Sequence, residues 1–170
     1  MANFVGLAGS VNDDVLFGAH DTPSVLYGGS GGRDVLVGGS NNDILITAPK
    51  LMLAGAVLGA QDYTDDLTGG AGADTFVIDR DAPWEPATVE KGLAAIYSAK
   101  TLITDFNRAE GDRILSMGYA TEDIQIGEVN TNSNQQSVTF GGSLTVVFDL
   151  SFAREFDSNF TLRMSDFDRY

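Results

Sequence analysis

A nine-residue beat runs through the first half of the chain, with an aspartate in its sixth place and an apolar residue in its eighth. It is clearest at Gly69-Gly70-Ala71-Gly72-Ala73-Asp74-Thr75-Phe76-Val77 and at Gly38-Gly39-Ser40-Asn41-Asn42-Asp43-Ile44-Leu45-Ile46. Gly29 to Val37 keeps Asp34 and Leu36, and Gly9 to Phe17 keeps Asp14 and Leu16. Ala19 to Tyr27 keeps Leu26 but has Ser24 where the aspartate belongs, and Ala60 to Thr68 is worn yet keeps Asp65 and Leu67. Gly18 and Gly28 read as single extra residues between copies, and Thr47 to Gly59 reads as one insertion. Six copies in this register leave few folds open. Each copy is a small unit that can bury its apolar place only by stacking on its neighbours.

The two halves of the beat have separate causes. The first six residues make a turn, where glycines permit positive φ and close backbone approach. Such a turn aims carbonyl oxygens inward, and the aspartate adds a carboxylate. Carbonyl and carboxylate oxygens are the donors that a hard, flexible cation such as Ca2+ prefers. The last three residues make a short strand, in which place eight points opposite to places seven and nine. Leu16, Leu26, Leu36, Leu45, Leu67 and Phe76 are therefore expected to form one inward ladder. Places seven and nine are also apolar in four copies: Val15 and Phe17, Val25 and Tyr27, Val35 and Val37, Ile44 and Ile46. β-Propensity alone favours such residues, but a contiguous apolar outer face is usually covered. The expected cover is the C-terminal half, the insertion or a second copy.

The stretch from Gly9 to Val77 resembles the RTX, or hemolysin-type, calcium-binding repeat family. Thr104-Asp105-Phe106 and Gly111-Asp112-Arg113-Ile114 resemble the passage from such a roll into its C-terminal cap. The layout is similar to the C-terminal domain of serralysin-type proteases and to the R-modules of alginate epimerases. The resemblance implies an all-β fold, a right-handed parallel β-roll followed by a β-sandwich-like cap. It implies several Ca2+ ions, each between one turn and the turn two copies later. One site would then use Asp14 and Asp34 with carbonyls from Gly9, Val11, Ser30 and Gly32, within the turn that also holds Gly29 and Gly31. Another would use Asp43 and Asp74 with carbonyls from Gly38, Ser40, Gly70 and Gly72. A third would join Asp34 to Asp65 across the insertion. The site between copies two and four lacks a carboxylate at Ser24 unless Asp21 substitutes, and Asn12 and Asn41 stand in the fourth place, where the family has glycine. The resemblance also implies secretion through a type I exporter, with an uncleaved signal within Asn159 to Tyr170.

Composition narrows the partners. The 170 residues carry a net charge of −14 and an isoelectric point near 4.1. This argues against nucleic acid and anionic membrane surfaces, which need basic patches. No apolar run reaches membrane-spanning length, and the N-terminus has neither a basic segment nor a long apolar core of the kind a cleaved signal peptide needs. There is no cysteine, which excludes disulfides and thiol chemistry. Weak calcium sites fill only where calcium is near millimolar, which places the expected protein outside the cell.

The chain reads as residues 1–78, the roll with its insertion at 47–59, and residues 79–170, the cap. In the cap, Ala87 to Lys100 reads as a short helix. Leu102–Phe106, Arg113–Leu115, Ile124–Val129, Ser137–Phe140, Leu144–Leu150 and Phe160–Met164 read as strands, with a turn at Gly141-Gly142. Catalysis is not expected. The single histidine, His20, lies in a degenerate turn without a nucleophile elbow, the metalloprotease signature HExxH is absent, and the turns already account for most carboxylates. Trp84 and Tyr97 read as cap packing rather than sugar contacts. The leading expectation is a secreted, non-enzymatic calcium-binding module that folds on its ligand. The alternatives are adhesion by self-association through the apolar outer faces, and a polysaccharide-binding accessory module.

Overall fold

The computed structural model describes residues 4–29, 31–47, 64–79, 99–142 and 144–169. Ser30, most of the expected insertion (48–59), the larger part of the expected helix (87–98), Trp84 and Tyr97 lie outside the described residues.

Each nine-residue copy delivers one short strand. After β1 (Val5–Ala8), which precedes the first copy, these are in chain order β2 (Val15–Phe17), β3 (Ser24–Tyr27), β4 (Val35–Gly39), β5 (Ile44–Thr47), β6 (Thr64–Gly70) and β7 (Thr75–Asp79). Successive strands go to opposite sheets, so each pairs in parallel with the strand two places on: β1 with β3, β3 with β5, β5 with β7, and β2 with β4, β4 with β6. The chain folds as a parallel β-roll. β-Branched and aromatic residues fill the triplets Val-Leu-Phe, Val-Leu-Tyr, Val-Leu-Val and Ile-Leu-Ile and suit them to a pleated, half-buried surface.

The roll does not stop at the last clear repeat. β8 (Ala99–Ile103) adds to β6 and β9 (Arg113–Met117) adds to β7, again in parallel. Their register reveals two further copies. Ile103 stands opposite Leu67 and Ile114 opposite Phe76, in the apolar place, which puts Thr101 and Asp112 in the aspartate place. A half-copy precedes the first repeat, with Leu7 opposite Leu26. The expected division at residues 78 and 79 therefore falls inside both sheets. Ala99 and Lys100 open a strand rather than close a helix.

The remaining elements lengthen the same two sheets. β10 (Ile124–Asn130), β11 (Gln135–Phe140) and β12 (Leu144–Asp149) form an antiparallel meander, and β12 pairs in parallel with β8. A six-residue helix α1 (Ser151–Phe156) follows, and β13 (Phe167–Arg169) pairs with β9. The final order is β1-β3-β5-β7-β9-β13 in one sheet and β10-β11-β12-β8-β6-β4-β2 in the other. Phe140 on β11 meets Phe167 on β13 with ring centroids 6.0 Å apart, so the two sheets face each other in the cap as in a sandwich.

One inward row crosses each sheet. In the first it is Leu7, Leu26, Leu45, Phe76, Ile114 and Phe167. In the second it is Leu16, Leu36, Leu67, Ile103 and Phe148. All are buried except the two at the N-terminal end, Leu7 and Leu16. Core packing continues without a break into the cap through Phe106, whose ring touches those of Phe76, Phe148 and Phe160.

Two expectations are corrected. Phe160–Met164 is not a strand. Phe160 and Leu162 are buried and Thr161 is less so, so the alternation is real, but its backbone bonds side chains instead of a neighbouring strand. Leu162 N–H donates to Gln136 Oε1 at 2.8 Å, and the Phe160 and Thr161 carbonyls accept from Arg154 and Arg108. The outer apolar places are not uniformly covered either. Val25, Tyr27, Val35, Val37, Ile44 and Ile46 are half-buried, while Val15 and Phe17 remain 60% and 65% exposed.

Candidate metal centre

The turns stack along the two edges of the roll as two ladders of aspartates. Along one edge, Asp14 N–H donates to Asp34 Oδ1 and Asp34 N–H to Asp65 Oδ1, each at 3.0 Å. Along the other, Ser24 N–H donates to Asp43 Oδ1 (2.6 Å), Asp43 N–H to Asp74 Oδ1 (2.7 Å) and Asp74 N–H to Asp112 Oδ1 (3.0 Å). One carboxylate oxygen of each rung is thus spent on holding the turn before it, which fixes where the other oxygen points.

That second oxygen lies against the glycine that opens its own turn. A Cβ built on Gly38 would stand 2.7 Å from Asp43 Oδ2, one on Gly69 would stand 2.3 Å from Asp74 Oδ2, and one on Gly28 would stand 2.5 Å from Asp34 Oδ2. The equivalence of Gly28 with Gly38 and Gly69 corrects the register read from sequence. Gly28 is the first residue of its turn, Gly29 the second, and the extra residue lies inside the turn rather than between copies. Gly18 likewise opens the turn of Ser24.

The expected residues come together by pairs of turns. Gly9 and Val11 back onto the turn of Gly29, Gly31, Gly32 and Asp34, and a Cβ on Gly31 would meet the Val11 carbonyl oxygen at 2.6 Å. Gly38, Gly39 and Asn41 back onto Gly69, Gly70 and Gly72, and a Cβ on Gly70 would meet the Gly39 carbonyl oxygen at 2.0 Å. Side chains in the fifth place tie the same pairs: Asp13 accepts Arg33 N–H at 2.8 Å and Asn42 accepts Ala73 N–H at 3.0 Å. Asp65 reaches Asp34 but also accepts from Thr47 Oγ1, which in turn bonds Thr101 Oγ1. Between copies two and four, protein groups make the rung. Ser24 Oγ accepts Ala19 N–H, Ser40 Oγ and Asn41 Nδ2 both donate to the His20 carbonyl, and Asp21 is exposed.

Two oxygens stand out. Asp43 Oδ2 and Asp74 Oδ2 are buried and have no hydrogen-bond partner among the described residues. A buried carboxylate oxygen without a partner is costly unless a cation or a proton meets it. Burial pushes Asp74 up to about 6, with the charges of Asp43, Asp105 and Glu110 adding to the rise. Burial also raises Asp43, and it raises Asp112 to about 7, with help from the charges of Asp74 and Asp105. Among the described residues no three carboxylate or imidazole side chains converge on a point that would hold a metal. An ion here would therefore draw most of its ligands from backbone carbonyls, with one or two carboxylates for charge. The partnerless oxygens and their side-chain-free glycine walls fit a hard oxygen-seeking cation.

Asp105, Asn107 and Asp112 complete the stack and were not in the expected site. Asp105 accepts both Gly69 N–H and Gly70 N–H, at 2.9 and 2.8 Å, and Asp112 accepts Asn107 N–H at 2.8 Å. The sequence signal was the Asp-x-Ile spacing of Asp112 and Ile114, the spacing of places six and eight, out of step with the nine-residue count and largely stripped of its glycines.

No protein-family model and no curated protein matches the chain. Its fold is similar to the solution structure of the AlgE6R3 subunit from the Azotobacter vinelandii mannuronan C5-epimerase. The two are 24% identical with a TM-score of 0.52, over 94% of this chain and 80% of that one. The likeness is one of fold.

Proposed function

We propose that this chain is a secreted, non-catalytic calcium-binding module of the RTX type, whose turns become a rigid stack when Ca2+ is bound. The observation that carries the reading is the pair of partnerless buried oxygens, Asp43 Oδ2 and Asp74 Oδ2. Asp43 and Asp74, with carbonyls of the turns 38–41 and 69–72, would hold one ion. Asp14 and Asp34, with the turns 9–12 and 28–32, would hold another, and Asp34 and Asp65 a third. Bound calcium supplies the positive charge that offsets carboxylates otherwise forced together in a low-dielectric edge. The chain's own contribution is order. Each Oδ1 fixes the turn before it, and the glycines let the stacked turns approach without a Cβ between them. Extracellular calcium would fill such sites and cytosolic calcium would not, which suits a protein that folds after export. In this reading the turns of residues 1–78 hold the ions named here, and the continuation of both sheets through β8 and β9 into the cap closes the stack.

The deciding experiment is a metal count. Protein dialysed against millimolar CaCl2 should retain several equivalents of calcium by elemental analysis, and the D43N/D74N double variant should retain at least one fewer. Equal counts in the two proteins would remove Asp43 and Asp74 from the site.

A second reading adds a partner. The fold likeness to a subunit of a mannuronan C5-epimerase favours an accessory role beside an extracellular carbohydrate-active enzyme. Retardation in alginate affinity gels, dependent on calcium, would support it; unretarded migration would leave the calcium module standing alone. Self-association is favoured by the exposure of Val15 and Phe17, and a clean monomer at high concentration would argue against it.

A further inference from the structure

The C-terminal end of the turn stack is tied to the last residues of the chain through one side chain. Arg108 lies in the turn from Asn107 to Asp112, the turn whose Asp112 carboxylate accepts Asp74 N–H. Its guanidinium makes a two-pronged ion pair with Asp166, Nε to Oδ1 at 2.6 Å and Nη2 to Oδ2 at 2.5 Å. Nη2 also donates to the Thr161 carbonyl at 3.2 Å, and the guanidinium carbon stands 4.7 Å from the centre of the Phe160 ring. The Asp166 side chain is only 3% exposed. One turn residue thus grips the tail at Phe160, Thr161 and Asp166.

The gripped segment matters to the core. Phe160, Leu162 and Phe167 are buried, and their rings and methyls close the open end between the sheets beside Phe106 and Phe140. Yet residues 160–164 belong to no strand, and β13 pairs over three residues only. A planar guanidinium fork tolerates little misplacement, so this grip requires the turn 107–112 to be in place. That turn is anchored through Asp112 to Asn107 and Asp74, at the end of the roll where Asp74, Asp105 and Asp112 gather. Ordering such a turn is costly while the carboxylates face one another unscreened.

We propose that Arg108 couples cation binding in the last repeat turns to docking of residues 160–169, so that the C-terminal segment seals the core in response to calcium. The proposal rests on the calcium reading above and extends it from the turns to the tail. Arg108 acts as a positioning residue; no role as a ligand is assigned to it.

Hydrogen–deuterium exchange of the full chain, stripped with EDTA and titrated with CaCl2, tests this. In the parent protein, exchange in residues 160–169 should slow by at least about tenfold on adding calcium, as an opening segment becomes closed. Its midpoint should coincide with that of the turns 69–74 and 107–112. In R108A the turns should still respond, while the tail keeps its metal-free exchange rate. R108K, which holds one carboxylate oxygen instead of two, should fall between them. D166N gives the same test from the other side should R108A fail to fold. A tail already protected without calcium, or protected equally in parent, R108A and D166N, overturns the coupling while leaving the calcium reading intact. Turns and tail that both ignore calcium overturn the two together.

Discussion

The two ends of the roll are built from the same repeat and end up in different states. At the N-terminal end, Leu7 and Leu16 hold the inward place but, among the described residues, have a neighbouring strand on one side only, and both stay partly open; Val15 and Phe17 beside them are largely exposed. One rung further in, Leu26 and Leu36 hold the same place with neighbours on both sides and are 0% and 1% exposed. At the C-terminal end the row does not fade. Ile114 and Phe167 continue it on one sheet, Ile103 and Phe148 on the other, and all four are buried. The difference shows what each level contributes. The nine-residue beat makes the strand and aims the side chain, but burial comes from what packs around it, and among the described residues Phe106, Phe140 and the segment 160–167 supply that packing at the C-terminal end.

This contrast can be broken most directly at the sealed end. Phe106 is fully buried against three aromatic rings, so Phe106→Ala should cost about 3–5 kcal/mol, as large-to-small core changes do. Chemical denaturation in excess calcium would measure it, and a loss below about 1 kcal/mol would mean the cap is not part of the core. The same substitution at two inward rungs sharpens the point. Leu36→Ala should lose about 2–5 kcal/mol. Leu16→Ala should lose less than half as much, because its side chain is already partly in water.

The buried carboxylates at the end of the stack add a dependence on pH. Asp74 and Asp112, at about 6 and about 7 in the fold, lie above an ordinary aspartate near 3.9. The fold therefore prefers them protonated. In EDTA that preference is fully present below about pH 4 and is lost as pH rises through 6 and 7, so the metal-free protein should be stabler at pH 5 than at pH 8, by on the order of 1–3 kcal/mol. The residual β signal of EDTA-stripped protein, larger at pH 5 than at pH 8, would show it, and a larger signal at pH 8 would contradict the burial of these groups. The smallest effect belongs to the open end. Phe17→Ser should change stability by about 0.5 kcal/mol or less, and a larger loss would reveal that something covers β2.

The roll itself was legible because a nine-residue period admits few structures, and the inward row from Leu26 to Phe76 follows from strand alternation. Legibility ended where chemistry other than the beat took over. Asp112 and Ile114 occupy repeat places, but the glycines before them are reduced to Gly111, so the two-residue spacing alone marks the copy in the sequence and its pairing with β7 is needed to place it. Thr101 fills an aspartate place with a hydroxyl that bonds Thr47, a substitution that spacing cannot reveal. The first place of the third turn was misassigned to Gly29 because Gly28 and Gly29 are adjacent glycines, and the contact with Asp34 alone separates them. Helix α1 was missed because six residues hold little periodicity: Phe152 and Phe156, which meet edge to face at 5.6 Å, are its only aromatic pair. Phe160–Met164 alternates as a strand would, yet Arg108, Arg154 and Gln136 take its backbone groups.

The most direct test of the account is far-ultraviolet circular dichroism of EDTA-stripped protein titrated with CaCl2, with MgCl2 as control. Calcium should give a large, saturable gain in β signal and magnesium little, because the turn oxygens suit a flexible, carbonyl-rich shell rather than a strict octahedron. A stripped protein whose spectrum already shows the full β content, and which does not change on adding calcium, would contradict it.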